Sequence, residues 1–340
     1  MHISFNDVWF ILLGVLLTGY AILDGFDFGV GILHLFAKDD IHRRLFLNSI
    51  GPLWDGNEVW LVTFGGALFA AFPNAYAAAF SGFYLAFMML LCALIFRAVS
   101  IEFRSKQNWP WWRQMWDVGF ALSSASAAFL FGVLAGDSFM GLPLGNDMAF
   151  SGHFADLFTP YSLLVGAFTV ATCAMHGSIY LYLKTEGTLQ KQLHSWMWTT
   201  FGIFMVFYML TTIVTLATLP LATANLIKFP LTWLVVLLNV LAIANIPRAI
   251  FTNRPGHAFV SSCCTIAALT FLFGAAMFPN LIVSHHDPAL NINVYNAASS
   301  HKTLGIMLIV AGLGLPFVFC YTAVVYWVFR GKVQLGKFSY

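Results

Sequence analysis

Long apolar segments dominate this chain, and short polar connections separate them. Each segment is long enough to cross ~30 Å of hydrocarbon as a helix of about 20 residues. Helices are expected because a strand or loop in lipid would leave backbone polar groups without partners. The pattern predicts an all-α integral membrane fold with about nine transmembrane helices, at residues 8–36, 49–71, 74–96, 116–135, 159–183, 196–219, 229–247, 257–278 and 304–329.

A weak internal repeat relates the first four predicted helices to the next four. The recurring positions are Gly14 with Gly166, Asp24-Gly25 with His176-Gly177, and Arg97-Ala98 with Arg248-Ala249. The repeat favours one membrane unit built from a four-helix bundle at 1–135, a second at 136–280, and a ninth helix with a cytoplasmic tail at 281–340. Chance similarity between apolar helices is the alternative.

Composition and charge agree with a membrane protein. Of the 340 residues, 60% are hydrophobic and 9% are charged, whereas soluble domains average roughly 45–50% and about 25%. The formal net charge of +2 gives no reason to expect a nucleic-acid partner.

All lysines and arginines except Lys228 and Lys302 fall in the connections after predicted helices 1, 3, 5 and 7 or in the C-terminal tail. The positive-inside rule then predicts an N-terminus outside and a cytoplasmic C-terminus.

Carboxylates inside the predicted helices are the first functional candidates, because charge within a membrane is costly and usually lines a bundle interior or an ion path. Asp24 and Asp27 stand three residues apart on the first predicted helix, and Asp55 and Glu58 stand three apart on the second. Each pair should therefore share a helix face. Two carboxylates so close in an apolar medium cannot both ionise cheaply, which favours a shared proton.

The predicted membrane topology also places Arg97, at the end of the third predicted helix, and Asp117, at the start of the fourth, at a similar depth near the cytoplasm. We therefore predict a cytoplasm-facing proton path whose acids pass protons inward. The path residues are Asp55, Asp27, Asp24 and Glu58, with Arg97, Trp54 and Asp117 in supporting positions. The alternative is a structural ion-pair network that holds the helices together with the same residue types.

No residue in the sequence is assigned as a catalytic or metal-binding group. His176 is the one histidine well inside a predicted helix, and a bis-histidine haem would need a second at matching depth. We interpret His176 as a hydrogen-bonded interior residue. The five cysteines lie in apolar segments without a Cys-x-x-Cys pair and are interpreted as small buried hydrophobes. Motifs of ATPases and hydrolases are missing from the sequence.

Short motifs along almost the whole chain, densest over residues 20–120, carry a family resemblance. They include Asp24-Gly-Phe-Asp27-Phe-Gly, Trp54-Asp-Gly-Asn-Glu-Val-Trp60, Gly65-Gly-Ala-Leu-Phe-Ala-Ala, Phe96-Arg97, Met115-Trp-Asp117 and Ala276-Met-Phe-Pro279. These segments resemble subunit II of the cytochrome bd-type quinol oxidases, and the motif that begins at Trp54 is the most specific of them.

The resemblance implies a heterodimer in the plasma (inner) membrane of a bacterium. Subunit I would carry haem b and haem d, and the complex would move electrons from quinol to dioxygen, with protons for water drawn from the cytoplasm. This chain would be the haem-free partner that stabilises subunit I and contributes a proton path. Asp55, Asp27 and Arg97 match family positions linked to that path, whereas Asp24 and Glu58 come from spacing alone. A structural quinone, a small accessory subunit, bound lipid and the type of quinol stay open.

One departure from the family and two alternatives remain. The connection at 220–228 is shorter than the loop of some members, which indicates the cyanide-insensitive type of subunit. Without the resemblance, a proton-coupled secondary transporter or channel fits the helices and acids nearly as well. A purely structural membrane scaffold is the third class.

Overall fold

The computed structural model describes residues 4–143, 152–285 and 287–336. Almost all regular structure in these ranges is helical, as the sequence predicts. The helices are α1 (Phe5–Leu33), α2 (Asp40–Ile50), α3 (Trp54–Ala71), α4 (Pro73–Gly82), α5 (Tyr84–Phe103), α6 (Pro110–Met140), α7 (Pro160–Lys184), α8 (Gly187–Thr218), α9 (Pro220–Lys228), α10 (Thr232–Phe251), α11 (Pro255–Met277) and α12 (His301–Val328). Two short antiparallel strands, β1 (Asn280–Ile282) and β2 (Ile292–Asn293), pair between α11 and α12.

Within the described residues, eight helices are long and apolar enough to cross a membrane. They are α1, α5, α6, α7, α8, α10, α11 and α12. The remaining predicted helix corresponds to α3, which has 18 residues and carries acids in its first two turns. The all-α membrane fold class is confirmed, and α3 accounts for the difference between eight helices and about nine.

The boundaries of two predicted helices are wrong. The segment 49–71 is interrupted, because α2 ends at Ile50 and a turn at 51–53 precedes α3. The segment 74–96 contains nearly all of α4 and most of α5, which meet at Phe83, where φ is −99° and ψ is 20°. Gly51-Pro52 is a turn signal that marks the first break, whereas the second break lies between two apolar helices, and no change of hydrophobic period marks it.

Helices α1 and α7 form the centre of the bundle. Helix α1 packs against α3, α6, α7 and α11, and α7 also contacts α6, α8 and α11. At the crossing of α1 and α7, a Cβ built on Gly29 would lie 2.0 Å from the carbonyl oxygen of Cys173, and one built on Gly177 would lie 2.5 Å from the backbone of Gly29. Membrane helices use such small residues to bring their backbones together. The crossing therefore buries the half of α1 that carries Asp24 and Asp27.

Gly29→Ala should lower the melting temperature of the protein purified from membranes, because the new methyl group meets a backbone oxygen that cannot move aside. Overpacking of this kind costs roughly 1–3 kcal/mol. Gly14→Ala on the same helix is the matched control, since nothing lies within 4 Å of its Cβ position. Equal melting temperatures for the two variants would contradict the close crossing.

The helix contacts recur in the two halves of the chain. Helix α1 packs on α3 and α6, and α5 on α6; in the same way, α7 packs on α8 and α11, and α10 on α11. Helix α12 lies outside this pattern and contacts α1 and α3. The limits of the two bundles, near residues 135 and 280, stay a prediction.

The two ends of the bundle differ in their connections. Where α1 begins, the segment before α12 closes over the helix ends: the Asn6 side chain donates to the carbonyl of Val294 at 2.8 Å, and the Ser299 amide donates to the carbonyl of Ala71 at 2.8 Å. At the opposite end, the amide of Val333 donates to the carbonyl of Lys184. This second end carries most of the basic connections.

Candidate functional site

A buried ion-pair cluster lies where α1, α3 and α5 meet. Arg97 of α5 is fully buried, and its Nη1 donates to Asp24 Oδ1 at 2.6 Å while its Nη2 donates to Glu58 Oε1 at 2.5 Å. The guanidinium carbon also lies 4.3 Å from the centre of the Phe28 ring. The planar fork of arginine suits this use, because its donors point in fixed, separate directions. One cation thus bridges carboxylates from two helices.

Asp27 is the second fully buried carboxylate of α1. It lies within electrostatic range of Asp24, Glu58 and Arg97. The Asn57 side chain donates to Asp27 Oδ2 at 2.7 Å, whereas Asp27 Oδ1 has no hydrogen-bond partner among the described residues. Three carboxylates therefore surround one arginine, and an apolar interior favours at least one proton among them.

Asp55 and Trp54 lie beside this cluster without joining it. Asp55 stands in the first turn of α3 and is exposed, whereas Glu58 turns inward to Arg97. Asp55 lies within electrostatic range of Glu58, but the ion pairs of Arg97 are with Asp24 and Glu58. Trp54 is half-buried and packs against the core around Phe26 and Tyr180.

Asp117 belongs to a separate cluster at the end of the bundle that carries the basic connections. Its carboxylate accepts hydrogen bonds from His34 Nε2 at 2.6 Å, from Arg43 Nη1 at 2.9 Å and from Arg104. Arg104 also binds Asp40 at 2.7 Å. The sequence predicts Asp117 at a depth similar to that of Arg97 and does not identify His34 and Arg104 as its partners; the density of basic residues after α1 and α5 is the available signal.

His176 has both ring nitrogens engaged. Nδ1 lies 2.7 Å from Ser262 Oγ, and Nε2 lies 3.1 Å from the carbonyl oxygen of Ile22. The ring stacks on Phe259 with centres 4.9 Å apart. The interpretation as a hydrogen-bonded interior histidine is confirmed, and these contacts leave no nitrogen to bind haem iron. Among the described residues, no group of three His, Cys, Asp or Glu side chains could hold a metal ion.

The cysteines depart from the expected burial. Cys173 is buried and Cys263 is half-buried, whereas Cys92, Cys264 and Cys320 are exposed on the helix surfaces. A membrane protein can present such residues outward because lipid, unlike water, accepts small apolar side chains.

An apolar groove of about 560 Å³ runs between α5 and α6. Met88, Cys92 and Phe96 line one wall, and Gly119 and Leu122 lie on the other. Ser123 and Ser126 are its polar lining residues. Such a surface fits an apolar chain better than a polar solute.

Comparison with known proteins gives a consistent result. Residues 5–329 match the family model described as cytochrome bd terminal oxidase subunit II. The chain is 36% identical to the cytochrome bd-I ubiquinol oxidase subunit 2 of Escherichia coli (strain K12), over 96% of this chain and 94% of that protein. It is also 36% identical to the cytochrome bd ubiquinol oxidase subunit 2 of Bacillus subtilis (strain 168), over 97% of each. The solved structure of bd oxidase from Geobacillus thermodenitrificans shares the fold with a TM-score of 0.80 at 16% identity, over 96% of this chain and 98% of that one.

Proposed function

Because this chain belongs to the cytochrome bd terminal oxidase subunit II family, we propose that it is the haem-free half of a quinol oxidase and supplies protons to its partner. The partner is subunit I, which in this proposal holds haem b and haem d, oxidises quinol and reduces dioxygen to water. The observation that carries the proton role is the buried cluster of Asp24, Asp27 and Glu58 around Arg97.

The proposed path begins at the mouth of the cluster and runs inward. Asp55 is exposed at the start of α3, and Glu58 lies one turn further on, bound to Arg97. Arg97 joins Glu58 to Asp24, and Asp27 lies one turn from Asp24 on α1. Carboxyl groups spaced in this way can take up and release protons in turn, while the arginine keeps part of the cluster ionised. Trp54 and Asp117 support the helices around the path.

The exposed faces of α3 and α12 are the proposed docking surface for subunit I. Exposed residues recur along α3 at Asp55, Val59, Val62, Gly66 and Phe69, which form one stripe. In α12, a helix of 28 residues, the buried position is Leu304. A carboxylate on a lipid-facing helix is costly, and a partner subunit that covers Asp55 with polar groups or water lowers that cost. This placement brings Asp55 to the subunit interface.

The orientation and division of the chain are further parts of the proposal. The end of the bundle with the basic connections faces the cytoplasm, so the N-terminus lies outside and the C-terminus inside. The recurring helix contacts support bundles at 1–135 and 136–280 with a ninth helix at 281–340. The groove between α5 and α6 is the proposed place for the apolar tail of a structural quinone.

Asp55→Asn in the assembled oxidase should lower quinol-driven oxygen uptake about tenfold, because an amide cannot carry the proton that a positioned carboxyl transfers. Yield and haem absorbance of the complex should stay normal, since the Asp55 side chain is exposed and makes no hydrogen bond to the other residues that the structure describes. Oxygen consumption per haem, measured in purified complex, checks the prediction.

Asp39→Asn is the matched control for Asp55→Asn. Asp39 is an exposed acid that caps α2, and asparagine caps a helix equally well, so turnover should not change. Normal turnover in Asp55→Asn would remove Asp55 from the path.

Purification of the native complex gives the wider test. The proposal requires haem b and haem d bands in the complex and oxygen uptake driven by quinol. A colourless protein that purifies alone and moves a solute together with protons would favour the transporter alternative instead.

A further inference from the structure

Helix α12 is joined to the buried acids through one side chain near its end. Tyr326 is half-buried, and its ring lies 6.4 Å from that of Phe26 in an edge-to-face arrangement. Its hydroxyl donates to Asn57 Oδ1 at 3.0 Å. Most of α12 is otherwise exposed. Trp9 of α1 donates to the carbonyl of Leu304 near the start of α12, and Tyr326 is the polar contact that joins the other end of this loosely packed helix to the buried acids.

Asn57 connects that hydroxyl to Asp27. Its amide nitrogen donates to Asp27 Oδ2 at 2.7 Å and to the carbonyl of Leu23 at 3.1 Å, while its oxygen accepts from Tyr326. These bonds use both hydrogens of the amide and fix its orientation, because a flipped amide would place oxygen against oxygen at Asp27. Asn57 is itself buried at 2% exposure.

We propose that Asn57 and Tyr326 are positioning residues that hold Asp27 Oδ2 and leave Oδ1 as the oxygen that accepts and releases a proton. This inference rests on the proposed function and assigns a role to two side chains outside the predicted path. Since Tyr326 lies on α12, the position of this helix determines whether the hydrogen bonds that hold Asp27 Oδ2 are formed. A partner that covers the exposed face of α12 therefore completes the proton path as it docks.

The surroundings of Asp27 explain why such positioning matters. Asp24 and Glu58 repel a charge on Asp27, Arg97 attracts one, and the phenol groups of Tyr180 and Tyr326 also lie within electrostatic range of it. A carboxyl group free to rotate in this field could present either oxygen. Proton transfer requires donor and acceptor within hydrogen-bond distance, so a carboxyl held in one orientation transfers more often than a rotating one.

Tyr326→Phe in the assembled oxidase tests the proposal, because it removes one hydroxyl and keeps the ring. Loss of one hydrogen bond should lower kcat about fivefold with the KM for quinol and the haem spectrum unchanged. The infrared carboxyl band of Asp27, identified by its loss in Asp27→Asn, should move in frequency. Tyr208→Phe is the matched control, since Tyr208 of α8 is also half-buried and also donates to an asparagine oxygen, Asn239 Oδ1, at 3.1 Å; it should leave kcat and the band unchanged.

Asn57→Leu removes both hydrogen bonds of the series that runs from Tyr326 through Asn57 to Asp27. If the two residues act as one unit, the double variant with Tyr326→Phe loses no more turnover than Asn57→Leu alone. Independent, additive losses would overturn the proposal. If Tyr326→Phe prevents assembly, Asn57→Leu decides by the same kcat and infrared measurements.

Failure of this inference can be separated from failure of the proposed function. Normal turnover and an unmoved Asp27 band in Tyr326→Phe, together with low turnover in Asp27→Asn, overturn the positioning role and leave the proton path in place. Normal turnover in Asp27→Asn overturns the part of the path at Asp27 and the positioning role with it.

Discussion

Replacement of Arg97 by leucine is expected to remove almost all assembled oxidase from the membrane. The guanidinium is fully buried and holds Asp24 and Glu58. Its loss leaves a buried carboxylate without a counter-ion, and breaking a buried ion pair in this way costs roughly 3–5 kcal/mol. Haem absorbance of isolated membranes, together with the amount of subunit II retained, measures the loss.

Two substitutions serve as controls for Arg97→Leu. Arg97→Lys keeps the charge but cannot direct two bonds to separate carboxylates, so an intermediate yield is expected. Arg248→Leu removes the corresponding arginine of the second half; this side chain is exposed, so the yield should stay normal. Full assembly of Arg97→Leu with normal heat stability would show that the cluster does not hold the helices together.

A triple variant separates the stability of the cluster from its proton role. Arg97→Leu combined with Asp24→Leu and Glu58→Leu removes the arginine together with both carboxylates that it binds, and leaves Asp27 hydrogen-bonded to Asn57. Replacing a buried ion network by apolar residues is often neutral. Assembly should then largely recover. Turnover should stay low, because no carboxyl group remains at these two positions to carry a proton.

Much of the candidate site could be predicted from the sequence, because charge in an apolar segment is rare and therefore informative. Asp24 and Asp27 were recognised by that rule, and both are fully buried. Arg97 was expected to hold one carboxylate ionised, and in the structure it binds two.

Other features could not be predicted, and each has a physical reason. Tyr326 and Asn57 are 269 residues apart in the chain, and no local pattern reports a contact at that separation. Helical spacing predicts that Asp55 and Glu58 lie near each other on α3, but it cannot tell which of them reaches Arg97, because two positions three residues apart differ by about 60° in direction. The break at Phe83 was missed because helices in lipid are apolar on all sides and lose the periodicity that marks boundaries in water.

The structure also bears on the choice between a proton path and a structural ion network, because it contains two charged clusters of different kinds. Around Arg97, three carboxyl groups lie near one cation, so the negative charges outnumber the positive charge and a carboxyl group can hold a proton. Around Asp117, one carboxylate receives hydrogen bonds from a histidine and two arginines. An acceptor so fully engaged by cations has little tendency to take a proton. We therefore expect the first cluster to conduct protons and the second to stabilise the fold.

Asp117→Asn should destabilise the oxidase while leaving the turnover of the surviving complexes unchanged. The carboxylate is 1% exposed, and an amide in its place would leave Arg104 and Arg43 without their buried counter-charge, at a cost of about 3 kcal/mol or more. The expected results are a lower melting temperature, a reduced yield and normal oxygen uptake per haem, the reverse of the pattern expected for Asp55→Asn. Asp40→Asn is the matched control: Asp40 binds Arg104 and Arg113 in the same cluster, but its side chain is 44% exposed, so solvent screening should keep its effect small. Normal stability with reduced turnover in Asp117→Asn would instead place Asp117 on the proton path and join the two clusters into one.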